Sequence, residues 1–174
     1  MPTFSHPAPI RVLMALGLVF ASWSALAAPA LQVEESVDLS APPAQVWATV
    51  GHFESLSWHP VVADTHLDRG AATQPGAVRT VTTQDGARIV ESLQRLDAKH
   101  HAMVYRIVES PLPVKGYEST LQVLPQGRGS KVVWSSRFER DEKAEGVTDD
   151  QAREIVAGIY RAGFDGLKAK FPAP

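Results

Sequence analysis

The chain has 174 residues, of which 44% are hydrophobic and 21% charged, and its formal net charge at pH 7 is −2. This length is typical of one domain, since domains usually have roughly 100–200 residues. The nearly balanced charge lacks the excess of basic residues that binding to nucleic acid or to an anionic membrane usually requires. The absence of cysteine excludes disulfides, thiolate metal sites, a cysteine nucleophile and a lipid-modified cysteine.

The first 27 residues have the pattern of a secretory signal peptide. Arg11 is the only charged side chain before Glu34, and an apolar stretch over residues 12–20 follows it. Small residues then lead to Ala27. This arrangement predicts export and cleavage after Ala27.

Pro29, just beyond the predicted cleavage point, disfavours a helix that continues into the mature chain. The alternative is an uncleaved anchor, because the uncharged run over residues 12–32 is long enough to span a bilayer. We expect cleavage, a mature chain of residues 28–174 folded as a single domain, no stable membrane insertion and a periplasmic location.

The mature chain begins with a strand over residues 33–39, where apolar and polar residues alternate. Ser40 is placed to cap a short helix that carries the apolar residues of the segment 46–50. A second short segment, helical or irregular, is expected over residues 53–58, and Pro60 ends it.

From residue 64 to residue 139 the pattern is one of short strands and turns. After a first strand in this region, further strands are predicted at residues 78–83, 88–96, 103–109, 117–124 and 131–139. Short strands joined by hairpin turns favour antiparallel pairing.

A long amphipathic helix ends the chain. Thr148 and Gln151 have the spacing of a capping box, and apolar residues then recur at helical spacing as far as Leu167. Because the helix and the antiparallel sheet each have an apolar side to bury, we expect them to pack face to face in an α+β fold.

This order of elements resembles the helix-grip fold of the START/Bet v 1-like (SRPBCC) superfamily, and the segment 53–62 is similar to its polyketide cyclase/dehydrase-like branch. The matching segments are residues 40–47, 53–62, 76–79, 91–93, 105–114 and 160–164. The resemblance covers residues 33–171. It implies a curved antiparallel sheet of about seven strands, wrapped around the C-terminal helix with a cavity between them.

Strand alternation assigns an inward face that is apolar with a few hydroxyls, as in small-molecule pockets. The residues expected to contact a ligand are Trp58, His59, Arg79, Glu91, Tyr105, Tyr117, Trp134, Phe138, Ile159 and Gly163. The alternative for each aromatic residue is that it fills the core without touching a ligand.

Arg79 and Glu91 are the sharpest polar candidates. If residues 84–86 form a three-residue hairpin loop, the two side chains face each other on the inner face. They would then be either a polar anchor for a ligand hydroxyl, carbonyl or carboxylate, or a closed internal ion pair. A two-residue turn would instead pair Thr80 with Glu91 and turn Arg79 outward.

His59, between Trp58 and Pro60, could act as an acid or base at the cavity mouth, as Glu91 could within it. The sequence favours a surface-loop histidine instead, because no motif supplies the chain of base and orienting group that catalysis usually shows. The seven-residue spacing of His52, His59 and His66 does not favour a metal site.

Three glycines, Gly158, Gly163 and Gly166, lie inside the predicted C-terminal helix. Each either lets a ligand approach the backbone closely or lets the helix pack tightly against the sheet. No nucleotide-binding or cofactor motif is present in the sequence.

Three functions fit these observations. We expect a binding protein for a hydrophobic or amphipathic small molecule, with no cofactor and no nucleic-acid partner. One alternative is a cyclase/dehydratase-like enzyme in which Glu91 or His59 moves a proton. The other is an accessory protein that docks on a periplasmic enzyme, since a similar exported member of the superfamily is associated with methanol oxidation.

Overall fold

The computed structural model describes residues 30–172, so the signal peptide predicted for residues 1–27 and its cleavage site lie outside the described residues. The elements in chain order are β1 (Leu31–Leu39), α1 (Pro43–Val50), β2 (Val62–Arg69), β3 (Val78–Thr83), β4 (Arg88–Asp97), β5 (Ala102–Glu109), β6 (Val114–Gln126), β7 (Gly129–Arg140) and α2 (Asp149–Lys170). Each predicted strand is present.

The seven strands form one antiparallel sheet in the order β1-β7-β6-β5-β4-β3-β2. Strands that follow one another in the chain pair as neighbours, except that β1 pairs with β7. The two edge strands are therefore β1 and β2. The pairing of β2 with β3 is interrupted by two register shifts, between Val62 and Asp64 and between Leu67 and Arg69.

The long helix α2 begins at the predicted capping box. Thr148 accepts a hydrogen bond from the Gln151 backbone, and the Gln151 side chain accepts one from the Thr148 backbone. One face of α2 is buried: Ala152, Val156, Ala157, Tyr160, Gly163, Phe164 and Leu167. The alternate residues of β5, β6 and β7 are buried opposite it, which confirms the predicted helix-grip architecture. Within residues 30–172, neither helix combines the length and apolarity needed to cross a membrane.

The segment between α1 and β2 has the irregular form, so the second of the two short helices expected after the first strand is absent from the described residues. Residues 51–61 form successive turns rather than a second helix, with backbone hydrogen bonds from Ser55 to His52, from His59 to Leu56 and from Val62 to His59. Phe53, Leu56 and Trp58 are all buried by tertiary contacts in these turns, so a helix face is not needed to bury them.

The start of α1 also differs from the prediction. Its N-cap is Pro42, without a side-chain cap. Ser40 does not cap the helix; its backbone N–H donates to the Pro172 carbonyl at 3.0 Å, which ties the end of β1 to the chain beyond α2.

Candidate ligand-binding cavity

A cavity of about 460 Å³ lies between α2 and the inner face of the sheet. Small-molecule sites usually measure about 300–1,000 Å³. Its wall is mainly apolar and contains Leu56, His59, Val61, Val62, Val81, Thr83, Gln84, Asp85, Ala87, Ile89, Glu91, Tyr105, Ile107, Pro111, Leu112, Tyr117, Trp134, Ile155, Ile159 and Tyr160. Val61 and Ile155 are each 39% exposed and so lie at the mouth.

Six of the ten predicted ligand-contacting residues line this cavity: His59, Glu91, Tyr105, Tyr117, Trp134 and Ile159. The other four are Trp58, Arg79, Phe138 and Gly163, which are buried but lie behind the wall. A direct contact between a ligand in this cavity and these four residues is therefore not expected. Whether the six lining residues bind a ligand stays a prediction.

The β3–β4 hairpin has the predicted three-residue loop. The Thr83 N–H donates to the Ala87 carbonyl at 2.9 Å, and Gly86 has a φ of 85°, a conformation that glycine adopts without strain. Arg79 consequently pairs with Glu91 across the two strands, and both are buried. The predicted register is confirmed, and the alternative with a two-residue turn is wrong.

The guanidinium of Arg79 is held on several sides. Its Nε and Nη2 atoms both lie 2.6 Å from Oε2 of Glu91, and Nη1 donates to the Phe53 carbonyl at 2.6 Å. Its central carbon lies 4.5 Å from the Phe53 ring centroid and 5.4 Å from that of Tyr105. These contacts keep Arg79 behind the wall and direct its charge toward a single oxygen of Glu91.

A network of hydroxyl groups connects the cavity wall to the sheet: Tyr117 and Tyr160 line the cavity, and Ser119 is buried behind them. Ser119 Oγ donates to the Ser135 carbonyl at 2.9 Å, so its single hydrogen is used. Ser119 must then accept the hydrogen bonds from Trp134 Nε1 at 3.0 Å and from the Tyr160 hydroxyl at 3.2 Å. The single indole hydrogen of Trp134 is shared between Ser119 and the Tyr105 hydroxyl, which lies 2.9 Å from Nε1. The Tyr160 oxygen in turn accepts from the Tyr117 hydroxyl at 2.5 Å. The network therefore has one direction and ends at a backbone carbonyl.

Burial raises the pKa of Tyr105, Tyr117 and Tyr160 above the ordinary value for tyrosine. The cause is the loss of water around the phenolate form, to which the negative charge of Glu91 adds at Tyr105. The three phenols thus keep their hydrogens over the physiological pH range and act as neutral hydrogen-bonding groups.

His59 is 3% exposed, so the interpretation as a surface-loop histidine is wrong. Its ring packs against those of Trp58 and Trp134, with centroids 5.6 and 5.9 Å away. Nε2 donates to the Ile159 carbonyl at 3.0 Å, while Nδ1 is buried without a partner. Burial lowers the pKa of His59, because the charged imidazolium would lose its hydration.

Gly163 and Gly166 serve close packing of α2. A methyl group on Gly163 would come within 2.8 Å of the His59 ring and 2.9 Å of the Trp134 ring. One on Gly166 would come within 2.2 Å of the Trp58 carbonyl oxygen. Both glycines therefore let the helix pack tightly, as one of the two interpretations predicted. The helix packs at these positions mainly against the turns of residues 51–61, and at Gly163 also against Trp134 of the sheet. Gly158 has open space around it.

Several wall residues were missed by the sequence interpretation. Ile155 lies four residues before the predicted Ile159, and Tyr160 lies four residues after the apolar Val156, so helical periodicity could have indicated both. No such signal exists for the loop residues of the wall, which are Pro111 and Leu112 between β5 and β6, and the residues of the β3–β4 hairpin loop. Only tertiary folding brings these two loops together at the cavity mouth. Among residues 30–172, no cluster of three or more His, Asp or Glu side chains could hold a metal ion.

Comparison with known proteins agrees with this geometry. The family model described as polyketide cyclase/dehydrase and lipid transport matches residues 30–172. The chain belongs to this family. It is thereby a member of the START/Bet v 1-like (SRPBCC) superfamily, as its sequence motifs predicted.

Individual relatives of this SRPBCC protein come from bacteria and plants. It is 32% identical to XoxI from Bacillus cereus, whose solved structure superposes with a TM-score of 0.73 over 80% of this chain and 94% of that one. MLP-like protein 423 from Arabidopsis thaliana is 25% identical over 113 residues, 60% of this chain and 73% of the plant protein. Ara h 8.0201 shares the fold at 17% identity, with a TM-score of 0.60 over 80% of this chain and 99% of its own.

Proposed function

We propose that this SRPBCC protein binds a hydrophobic or amphipathic small molecule in the cavity between α2 and the sheet, without making or breaking a bond in it. The observation that supports this most directly is the cavity of about 460 Å³ with a mainly apolar wall and one polar region. Apolar walls with a few placed polar groups are typical of ligand sites. The lipid-transport part of the family description is consistent with such a role.

The arrangement of His59 favours binding over the cyclase/dehydratase alternative. A general acid or base must reach the proton that it transfers. In His59, Nε2 donates a hydrogen bond to the Ile159 carbonyl and Nδ1 is buried, so neither nitrogen is free to exchange a proton with a ligand. Glu91 is then the remaining candidate for proton transfer, and its replacement separates the two functions: Glu91→Gln should change affinity if the protein binds, and abolish turnover with binding intact if it catalyses.

Fluorescence of the apolar probe phenylnaphthylamine tests whether the cavity binds ligands. Ile107 lines the cavity, whereas its neighbour Val108 is 64% exposed on the opposite face of β5. We expect the wild-type protein and Val108→Trp to bind the probe, and Ile107→Trp to lose binding because the added indole fills the cavity. Equal binding by both variants would show that the probe binds elsewhere, and no binding by the wild-type protein would contradict the proposal.

Native mass spectrometry of the protein purified from a periplasmic extract identifies the natural ligand class. A discrete co-purifying lipid, isoprenoid or aromatic compound would support the binding role. Docking on a periplasmic enzyme stays a prediction, and co-purification of a protein with an empty cavity would favour it.

A further inference from the structure

We propose that the cavity selects ligands whose buried polar end is an uncharged hydroxyl, an alcohol or a phenol, and rejects carboxylates of the same length. This inference rests on the proposed binding function and names the class of ligand that the polar region accepts. It follows from the hydrogen-bonding capacity that Glu91 and Tyr105 have left after their contacts within the protein.

Glu91 presents one free carboxylate oxygen. Both close contacts from Arg79 go to Oε2, and Oε1 makes no hydrogen bond to any residue in the range 30–172. Glu91 lines the cavity, whereas Arg79 does not. A ligand therefore meets a negatively charged acceptor at this point, without direct access to the guanidinium.

Tyr105 presents one free hydrogen. Its hydroxyl oxygen accepts from Trp134 Nε1 at 2.9 Å, and an indole N–H can only donate. The hydroxyl that lies near enough to interact with Tyr105 is that of Ser119. Both lone pairs of Ser119 are already used by Trp134 Nε1 and the Tyr160 hydroxyl, so the phenolic hydrogen of Tyr105 is left for a group in the cavity. The hydroxyls of Tyr117, Tyr160 and Ser119 all donate within their own network, so they do not compete to donate to a ligand.

The two free groups lie close together on the inner face. Glu91 pairs with Ile107 and Leu93 pairs with Tyr105 across β4 and β5, so Glu91 and Tyr105 are diagonal neighbours. Diagonal neighbours in an antiparallel pair are about 7–8 Å apart at their Cα atoms, within reach of a bridging group for long side chains.

A hydroxyl is the simplest group that satisfies both at once, since it donates to Glu91 and accepts from Tyr105. An ether accepts from Tyr105 but leaves Glu91 without a donor. A carboxylate places a second negative charge beside Glu91 in a cavity with a mainly apolar wall, where like charges repel more strongly than in water. The expected order of affinity is therefore hydroxyl, then ether, then carboxylate, and it follows from hydrogen bonding and charge rather than from the size of the group.

Displacement of phenylnaphthylamine by decanol, decyl methyl ether and decanoate at pH 8 tests this ranking. We expect decanol to bind about tenfold or more tightly than the ether, because a hydrogen bond to a charged group is lost, and decanoate to bind weakest. Glu91→Gln should reduce the preference for decanol over decanoate by about tenfold or more.

Tyr105→Phe is the second variant, and it retains the hydrogen bond of Trp134 to Ser119. This variant should weaken the binding of decanol and of the ether by similar factors of about two to ten, so the ratio of their affinities should stay unchanged. This result tests the inference even if Glu91→Gln does not fold. Equal binding of the three compounds by the wild-type protein, with the probe still displaced, would overturn the hydroxyl selectivity alone. Failure of the wild-type protein to bind the probe or any of the compounds would overturn the proposed binding function as well.

Discussion

The ion pair of Arg79 and Glu91 differs in its surroundings from the exposed ion pair of Arg106 and Glu118, which also joins two strands of the sheet. Arg106 and Glu118 join β5 to β6 at 2.7 Å, but their side chains are 58% and 43% exposed. The side chains of Arg79 and Glu91 are 2% and 9% exposed at 2.6 Å. Water screens the first pair, whereas the second depends on its partner to offset the loss of hydration.

Arg79→Met should therefore lower the free energy of unfolding by about 3–5 kcal/mol, because it leaves the Glu91 carboxylate buried without its counter-ion. Arg106→Met is the matched control and should cost less than about 1 kcal/mol. The double variant Arg79→Met, Glu91→Leu should recover much of the loss. Urea denaturation measures all three, and a similar loss for Arg79→Met and Arg106→Met would contradict the argument.

The three tyrosines of the chain are all in the buried cluster, so the tyrosinate absorbance reports on it alone. Burial raises their pKa in the folded protein, while in the unfolded chain it is about 10. Above that pH the unfolded state binds fewer protons than the native state, so stability is lost as pH rises.

We expect the native protein to show no tyrosine ionisation near pH 10 and to ionise all three residues together when it unfolds at higher pH. The protein in concentrated urea is the control and should titrate around pH 10. A native titration curve that matches the urea curve would show that the cluster is open to water.

At the scale of elements, two glycines of α2 differ in the space around them. Gly158 has open space where a side chain would be, whereas Gly163 lies against His59 and Trp134. Gly158→Ala should stabilise the protein by about 0.5–1 kcal/mol, since alanine favours the helix. Gly163→Ala should destabilise it by about 1–3 kcal/mol, because two packed rings must move. Thermal unfolding of the two variants measures the difference, and equal shifts of the same sign would contradict it.

The elements also differ in how far the sequence predicts them. The β3–β4 hairpin follows from local chemistry, since Gly86 can adopt a positive φ and the loop then places Arg79 opposite Glu91. Residues 51–61 have apolar residues near helical spacing but form turns, because Phe53 and Trp58 are buried by tertiary contacts and not by a helix face.

The candidate site likewise has some residues that the sequence predicts and others that only the tertiary structure reveals. Tyr105, Tyr117 and Trp134 were predictable because strand alternation alone decides which face they occupy. Strand alternation does not predict whether an inward-facing residue reaches the cavity. Phe138 faces inward but is buried behind the cavity wall. The mouth combines loops that are distant in the chain, and no local pattern links them.

At the scale of the whole molecule, the predicted export can be tested directly. Expression of residues 1–174 in a Gram-negative host should give a periplasmic protein whose intact mass corresponds to residues 28–174. Ala27→Arg should block this processing, because the cleavage site requires small residues. Recovery of the uncut wild-type chain in the membrane fraction would support the uncleaved anchor instead.

The two edge strands affect how separate copies of the protein meet. An exposed edge can pair with another strand and start aggregation, and charged side chains or bulges oppose this. Glu34 and Asp38 lie on β1, and Asp64 and Asp68 on β2, where two register shifts also break the ladder. Two copies that approached edge to edge would set carboxylates side by side at either edge. Like-charge repulsion at both edges therefore opposes the addition of a strand from a second copy of the protein.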